Sequence, residues 1–394
     1  MKTSIKVLAT ALTASLAVTA FAACGGNKNY AENNESFFIA TSGPLTGDYA
    51  KYGLGVKNSA ELAVEEINKV AKDELGFTFT FSMADDKASP DEVNSKYYNF
   101  YEKGMQVSLG TVTTGACLEW KALATNDSLF CITPSATGDK VYSDSDIMYQ
   151  MCFSDNNQGT AAAKYVKDSV STTKKVGVFY QSDDEYSAGI YSTFTAEMGS
   201  GSGYEIATAT FTKDSKTDFA SQANTLKDCE FVFLPIYYSD AATFMLAANK
   251  IDNKITQYYG CDGLDGIDSY EGFDISTIPQ EISYLTHFNS SAESGKAKEF
   301  IDKYVAKYGT DTLNQFGASA YDCIYAIYTA LKNAKAEGKD VKVNMSASEA
   351  CEIFKAQFSK MTVTDYVTGS TIKWNADGTV NKPADRVVVK AASK

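Results

Sequence analysis

The sequence predicts an α/β protein of two domains, each built on a parallel sheet. Three observations carry that prediction. The chain has 394 residues, more than one ordinary hydrophobic core accommodates. Short apolar runs alternate with helical spacings of apolar residues. The alternation then begins afresh near residue 156. A hydrophobic content of 44% with 12% aromatics supplies enough apolar surface for both cores.

The elements follow in order. SFFIATSG (36–43) reads as a strand, and the apolar positions Val56, Ala60, Ala63, Ile67 and Val70 repeat at helical spacing. FTFTFSM is the next strand, and Ser89-Pro90 opens a helix bearing Val93, Tyr97 and Phe100, since proline suits a first helical position. QVSLG, a helix around 118–124 and LFCIT continue the series. Strict alternation of this kind means a parallel sheet covered on both faces. The second series runs through a helix over Ala163, Val166 and Val170, the strand KVGVFY, a helix from Tyr186, the strand YEIATATF, a helix near 219–226 and CEFVFLP. ITQYYG closes it.

The two series correspond weakly. FFIATSG then a helix matches KVGVFYQ then a helix, and LFCITPSATGD matches ITQYYGCDGLDG. In each, polar, aromatic or glycine residues lie just past the carboxyl end of a strand, the edge where open parallel sheets bind ligands. Two such edges facing each other enclose a cleft. The stretch FCITPSATGDK (130–140) stops against Pro134 and offers Ser135 and Thr137 on that rim.

Composition excludes several functions. The formal net charge of -13 argues against nucleic acid or anionic lipid surfaces as partners. Arg386 is the single arginine and His287 the single histidine. Hydrolase chemistry needs a base beside its nucleophile, and His287 lies near no glycine-rich nucleophile turn. The chain is therefore read as a non-enzyme with no cofactor. Asp262, Asp265 and Asp268 lack the spacing and closing glutamate of an EF-hand, and GSGSGY (199–204) precedes a strand instead of opening a helix. No cysteine sits in a CxxC or Cys/His cluster, so no metal is expected.

MKTSIKVLATALTASLAVTAFAACGG carries Lys2 and Lys6 ahead of an uncharged run from Val7 to Ala23. That is a secretory leader, too short for a stable membrane span. Phe21-Ala22-Ala23-Cys24 resembles a bacterial lipobox, with phenylalanine at the position usually held by leucine. The expectation is a signal peptide over 1–23, a lipid-bearing Cys24 and a flexible polar tether over 24–36 that holds the protein to the extracytoplasmic face of the envelope. Seven cysteines remain, an odd number, and they read as buried small hydrophobes.

What is left is recognition of a small ligand. Thr113 and Thr114 precede a helix, and Ser135, Ala136 and Thr137 follow a strand; hydroxyls with helix-terminal N–H groups suit a carboxylate. With arginine nearly absent, no guanidinium clamp competes for that role. From the other half, Tyr237 and Tyr238 offer hydroxyls and Asp262 a carboxylate able to receive an ammonium group.

The stretches GPLTGDYAKYGLGVKNSAELAVEEIN, GTVTTGACLEWKALATNDSLFCITPSAT, SDNNQGTAAAKYV, TDFASQANTLKD and FGASAYDCIYAIYTAL resemble the branched-chain amino acid (Leu/Ile/Val) binding protein family, the periplasmic substrate-binding proteins of ABC importers. The resemblance implies the type I periplasmic-binding-protein fold: two Rossmann-like lobes joined by three crossovers, closing on a ligand. It implies a first lobe over 37–155 and 287–361, and a second over 156–286 and 362–394. Carried over residue by residue, it places the α-carboxylate on Thr114, Ser135, Ala136 and Thr137 and the ammonium on Asp262 and Tyr237. Tyr52, Tyr186 and Phe316 wall the side-chain pocket. The ligand implied is an apolar amino acid, and the partner an ABC permease. The alternatives are a ligand-sensing protein, a binder of a related small amide or carboxylate, and an envelope enzyme.

Overall fold

A computed structural model describes residues 28–170, 175–199 and 203–392. The leader and Cys24 lie outside the described residues.

The first series of strands and helices is β1 (Phe37–Gly43), α1 (Ala50–Glu74), β2 (Phe79–Asp85), α2 (Pro90–Glu102), β3 (Val107–Ser108), α3 (Thr114–Asp127), β4 (Cys131–Thr133), the single turn α4 (Asp139–Tyr142) and β5 (Met148–Gln150). Its five strands lie in the order β2-β1-β3-β4-β5, and every pairing is parallel. The apolar stripe of α1, from Val56 through Ala60, Ala63 and Ile67, is buried. Val70, expected on that stripe, is 45% exposed, and its neighbour Ala71 is buried in its place. QVSLG keeps only two residues in the ladder, because Gly110 turns the chain at φ +63°.

The chain then crosses to a second layer: α5 (Asp155–Ser169), β6 (Lys175–Gln181), α6 (Glu185–Met198), β7 (Glu205–Phe211), α7 (Ala220–Leu226), β8 (Phe231–Leu234), α8 (Tyr238–Ala248), β9 (Gln257–Gly260) and β10 (Glu281–Thr286). A second crossover leads back to α9 (Gly295–Tyr308), α10 (Gln315–Ala336) and α11 (Ala347–Phe358), which complete the first lobe. Phe354 of α11 packs on Phe37 and Phe130 of the first sheet. A two-stranded hairpin follows, β11 (Thr362–Tyr366) and β12 (Gly369–Lys373), and the third crossover ends in β13 (Asp385–Lys390). The second sheet runs β13-β10-β9-β8-β6-β7. It is parallel except at β13, which pairs antiparallel with β10.

Two segments sit differently from expectation. Residues 28–36, assigned to a flexible tether, are held down. Asn29 donates its amide to the carbonyls of Tyr101 (3.0 Å) and Met105 (2.9 Å), and Asn34 to Gly104 (2.8 Å). Tyr101 lies in the last turn of α2 and Gly104 and Met105 in the loop after it, so the asparagines pin this segment to the end of that helix. Residues 362–380, expected with the second lobe, bond instead to the first. Val367 and Thr368 donate backbone N–H groups to Asp322 of α10, and Trp374 donates its indole to the Gln150 carbonyl at 2.8 Å.

Candidate functional site

The loops that follow β3 and β4 bring the first wall together. Thr113 precedes α3 with extended backbone and caps nothing with its own side chain. Its hydroxyl is buried without a hydrogen-bond partner. Thr113 and Thr114 both line the cavity at the start of α3, so this wall carries hydroxyls beside the positive end of a helix dipole. After β4, the Thr133 hydroxyl accepts from the N–H groups of Ser135 (3.2 Å) and Ala136 (2.9 Å). This fixes the turn that aims Ser135 and Thr137 inward. Gly138 closes the turn and donates to the Thr114 hydroxyl at 3.3 Å.

The opposite wall belongs to the second lobe. Asp262 follows β9, and burial pushes its carboxyl up to about 7, while hydrogen bonds from Tyr186, Gln158 and Gly263 oppose the shift. Tyr186 donates its hydroxyl to Asp262 Oδ1 at 2.7 Å and accepts from the N–H of Gly263 at 3.0 Å. Gln158 of α5 accepts from the Asp262 N–H at 2.9 Å. Gly263 admits no side chain, because a Cβ there would lie 2.6 Å from the Ile236 carbonyl oxygen and 2.7 Å from the Tyr186 hydroxyl.

Aromatic rings fill the ends. Tyr186 stacks on Tyr237 at 5.0 Å with an interplanar angle of 8°, and Tyr52 meets Phe316 edge-on at 5.0 Å. Tyr52 also joins the lobes, donating to the Gly263 carbonyl and accepting from the Tyr238 N–H. Between these walls lies a cavity of about 20 Å³, lined by Tyr52, Val112, Thr113, Thr114, Ser135, Thr137, Tyr186, Tyr237, Asp262, Gly263 and Phe316. That is room for about one water molecule, so in this conformation the walls are drawn together and a ligand requires them to part.

Nine of the ten candidate residues line this one cavity. Ala136 does not. Its N–H is taken by Thr133 and its carbonyl accepts from the Gln150 amide at 3.0 Å. Tyr238 spends its N–H on Tyr52. Asp265 turns away, accepting from the Gln315 N–H (2.9 Å) and the Tyr284 hydroxyl (3.1 Å). His287 lies in the second crossover with its Nε2 2.7 Å from Ser319 Oγ. Both residues are buried, and burial holds the imidazole well below its ordinary range, so the pair is a neutral contact.

One group at the site went unread in the sequence. Asp155, the first residue of α5, is 2% exposed, and neither carboxylate oxygen has a hydrogen-bond partner. Burial pushes it far above the ordinary carboxylate range, the nearby Thr137 hydroxyl opposes this, and the charges of Asp262, Asp139 and Asp184 raise it further. Its carboxylate lies between two glycines of different lobes: a Cβ on Gly138 would approach Oδ2 to 3.5 Å and one on Gly189 to 3.1 Å. An unpaired buried carboxylate is costly, and an entering cation would relieve it.

Residues 36–394 match the family model described as periplasmic binding protein. The Leu/Ile/Val-binding protein BraC3 of Rhizobium johnstonii is 26% identical, over 84% of this chain and 90% of its own. The branched-chain amino acid transporter substrate binding protein LivJ from Streptococcus pneumoniae, solved in complex with isoleucine, superposes with a TM-score of 0.74. It is 25% identical and covers 91% of this chain and 97% of its own. A solute binding protein of an ABC transporter from R. palustris, solved with benzoate, shares the fold with a TM-score of 0.72 at 17% identity, covering 91% of this chain and 96% of its own.

Proposed function

The chain belongs to the periplasmic binding protein family, and from that premise we propose that it is the substrate-binding protein of an ABC importer that captures an apolar, zwitterionic amino acid. The observation that carries the ligand class is the division of the cavity by charge. Hydroxyls and the start of α3 lie on one wall, and on the other stands the buried carboxylate of Asp262; the buried Asp155 lies beside Thr137 and does not line the cavity. A ligand with a carboxylate at one end and an ammonium at the other satisfies both; an aromatic acid satisfies only the first. The hydroxyls of Tyr52 and Tyr186 are already bonded within the protein, which leaves their rings as apolar surface for an aliphatic side chain.

In this reading Thr113, Thr114, Ser135 and Thr137 hold the α-carboxylate, Asp262 and Tyr237 hold the ammonium, and Tyr52, Tyr186 and Phe316 wall the side chain. Binding in the open cleft, rotation about the three crossovers and docking of the closed form on the permease complete the cycle. The lobes are taken as 37–155 with 287–361 and 156–286 with 362–394, except that the hairpin β11–β12 moves with the first lobe, which it touches. Lipid on Cys24 anchors the protein, and no helix among the described residues is long and apolar enough to cross a membrane.

A thermal-shift screen of all amino acids, small amides and benzoates tests the proposal. A ligand that binds only the folded form adds about 2.7 kcal/mol of stability at a hundredfold excess over Kd. The largest shift is expected from an aliphatic L-amino acid. Shifts given solely by deaminated or decarboxylated compounds would overturn the zwitterion reading.

A further inference from the structure

The start of α1 reaches across the cleft at three points, two of them outside the ligand cavity. Tyr49, just before the helix, donates its hydroxyl to Asp240 Oδ2 at 2.9 Å and accepts from Lys216 Nζ at 2.6 Å. Lys216 and Asp240 are themselves paired at 3.2 Å, so the three groups close a triangle. Lys51 donates to Ser269 Oγ at 2.8 Å, and Tyr52 bonds Gly263 as described. Asp240 and Lys216 both belong to the second lobe and can pair whether the lobes are open or closed. The Tyr49 hydroxyl joins them only on closure. Asp240 is 5% exposed, so this hydrogen bond is made to a desolvated carboxylate, the setting in which such bonds are strong. By contrast the exposed Lys140–Glu185 pair, which also spans the lobes, is of the kind that contributes little.

None of Tyr49, Lys216 and Asp240 lines the ligand cavity. A contact of this kind cannot discriminate between ligands. It shifts the balance between open and closed forms, and the apparent affinity for any ligand scales with the fraction of protein able to close. We propose that Tyr49, Lys216 and Asp240 form a latch between the lobes that sets the open–closed balance and thereby the affinity for every ligand by one common factor. The latch rests on the reading that closure accompanies binding.

Calorimetry with L-leucine, L-isoleucine and L-valine, paired with small-angle scattering, tests it on the parent, Tyr49→Phe and Lys216→Met. Tyr49→Phe keeps the ring that packs on Tyr237 at 4.7 Å and removes only the hydroxyl; Lys216→Met approaches the same triangle from the other lobe. Both variants should bind every amino acid the parent binds about three- to tenfold more weakly, by the same factor for each. Unchanged affinities in both variants overturn the latch, and so does a factor that differs from ligand to ligand, since that marks a ligand contact. Should the parent take none of the three, the amino-acid reading has failed by itself. The latch is then decided on the free protein, where a larger radius of gyration for Tyr49→Phe than for the parent supports it and an equal radius overturns it.

Discussion

At the level of single residues, Asp262 and Thr137 face each other across the cavity, yet their truncation should cost unequal amounts. Asp262→Ala removes one member of a desolvated charged contact, worth about 2–5 kcal/mol, and should weaken amino-acid binding by roughly 30-fold or more. Thr137→Ala removes one neutral hydroxyl and should cost about 0.5–1.5 kcal/mol. Calorimetry separates the two, and an Asp262→Ala protein that folds and binds as tightly as the parent would place the ammonium elsewhere. A second expectation concerns pH. Burial raises Asp262 from 3.8 to about 7, so between these values the free folded protein holds a proton that the unfolded chain has released. This group's contribution to stability therefore falls as pH rises through that window. Ammonium binding needs the ionised form. Below about pH 7 each binding event should release a proton, with Kd rising about tenfold per unit fall in pH. Titrations in buffers of different ionisation enthalpy measure that proton, and a Kd that stays flat from about pH 5 to about pH 7 would contradict it. Thr137 and Asp262 were legible because strand-end hydroxyls and a strand-end acid have a known use. Asp155 was not. An acid directly after Ser154 at a helix start reads as first-turn helix chemistry, and its isolation depends on glycines at positions 138 and 189 that only the folded chain brings to it.

Among the secondary-structure elements, the hairpin β11–β12 shows how a short segment is held without a core of its own. Asp322 of α10 accepts from the N–H groups of Val367 (2.9 Å) and Thr368 (2.8 Å) and from the Thr368 hydroxyl. That hydroxyl in turn accepts from Lys382 in the third crossover. Lys382 is buried, and desolvation lowers its ammonium to about 8 despite the attraction of Asp322. Asp322→Ala would leave two buried N–H groups without partners and Lys382 without its nearby counter-charge, and denaturant unfolding should report a loss of about 3 kcal/mol or more. Lys296→Ala, which breaks the exposed pair with Glu299, should cost less than about 1 kcal/mol. A loss at Asp322 no larger than at Lys296 would show that the hairpin is held by other contacts. The helices α1, α2, α5 and α6 and the buried β1, β6 and β8 were read correctly from their apolar spacing. The three-residue β5 carries no period to detect. β10 and β13 were missed for another reason: EISYLT and DRVVVK break their alternation with charged residues, and Arg386 in β13 is accommodated only because Glu281 and Tyr165 receive it.

For the molecule as a whole, the lobes touch through three crossovers, the α1 contacts and the walls of the cavity, so their separation should respond to ligand. Scattering should report a smaller radius of gyration in the presence of a bound amino acid, and an equal radius despite confirmed binding would exclude closure. The two-lobed plan was visible in the sequence as one alternation repeated. The return of α9, α10 and α11 to the first lobe came from the family resemblance alone, since helices by themselves do not announce which sheet they cover. The seven cysteines from Cys117 to Cys351 bear on how such a protein reaches its working state. All are free and buried, with burial pushing Cys117 and Cys229 up to about 11 and Cys351 up to about 12. Because the reactive species is the thiolate, these buried thiols should resist oxidants in the native protein, while the unfolded chain exposes seven reactive sulfurs. Folding is thus a race against oxidation in any compartment that forms disulfides. Refolding from denaturant should give a high yield with a reductant present and a yield that falls as oxidised glutathione is added, whereas the folded protein should tolerate the same reagent for hours.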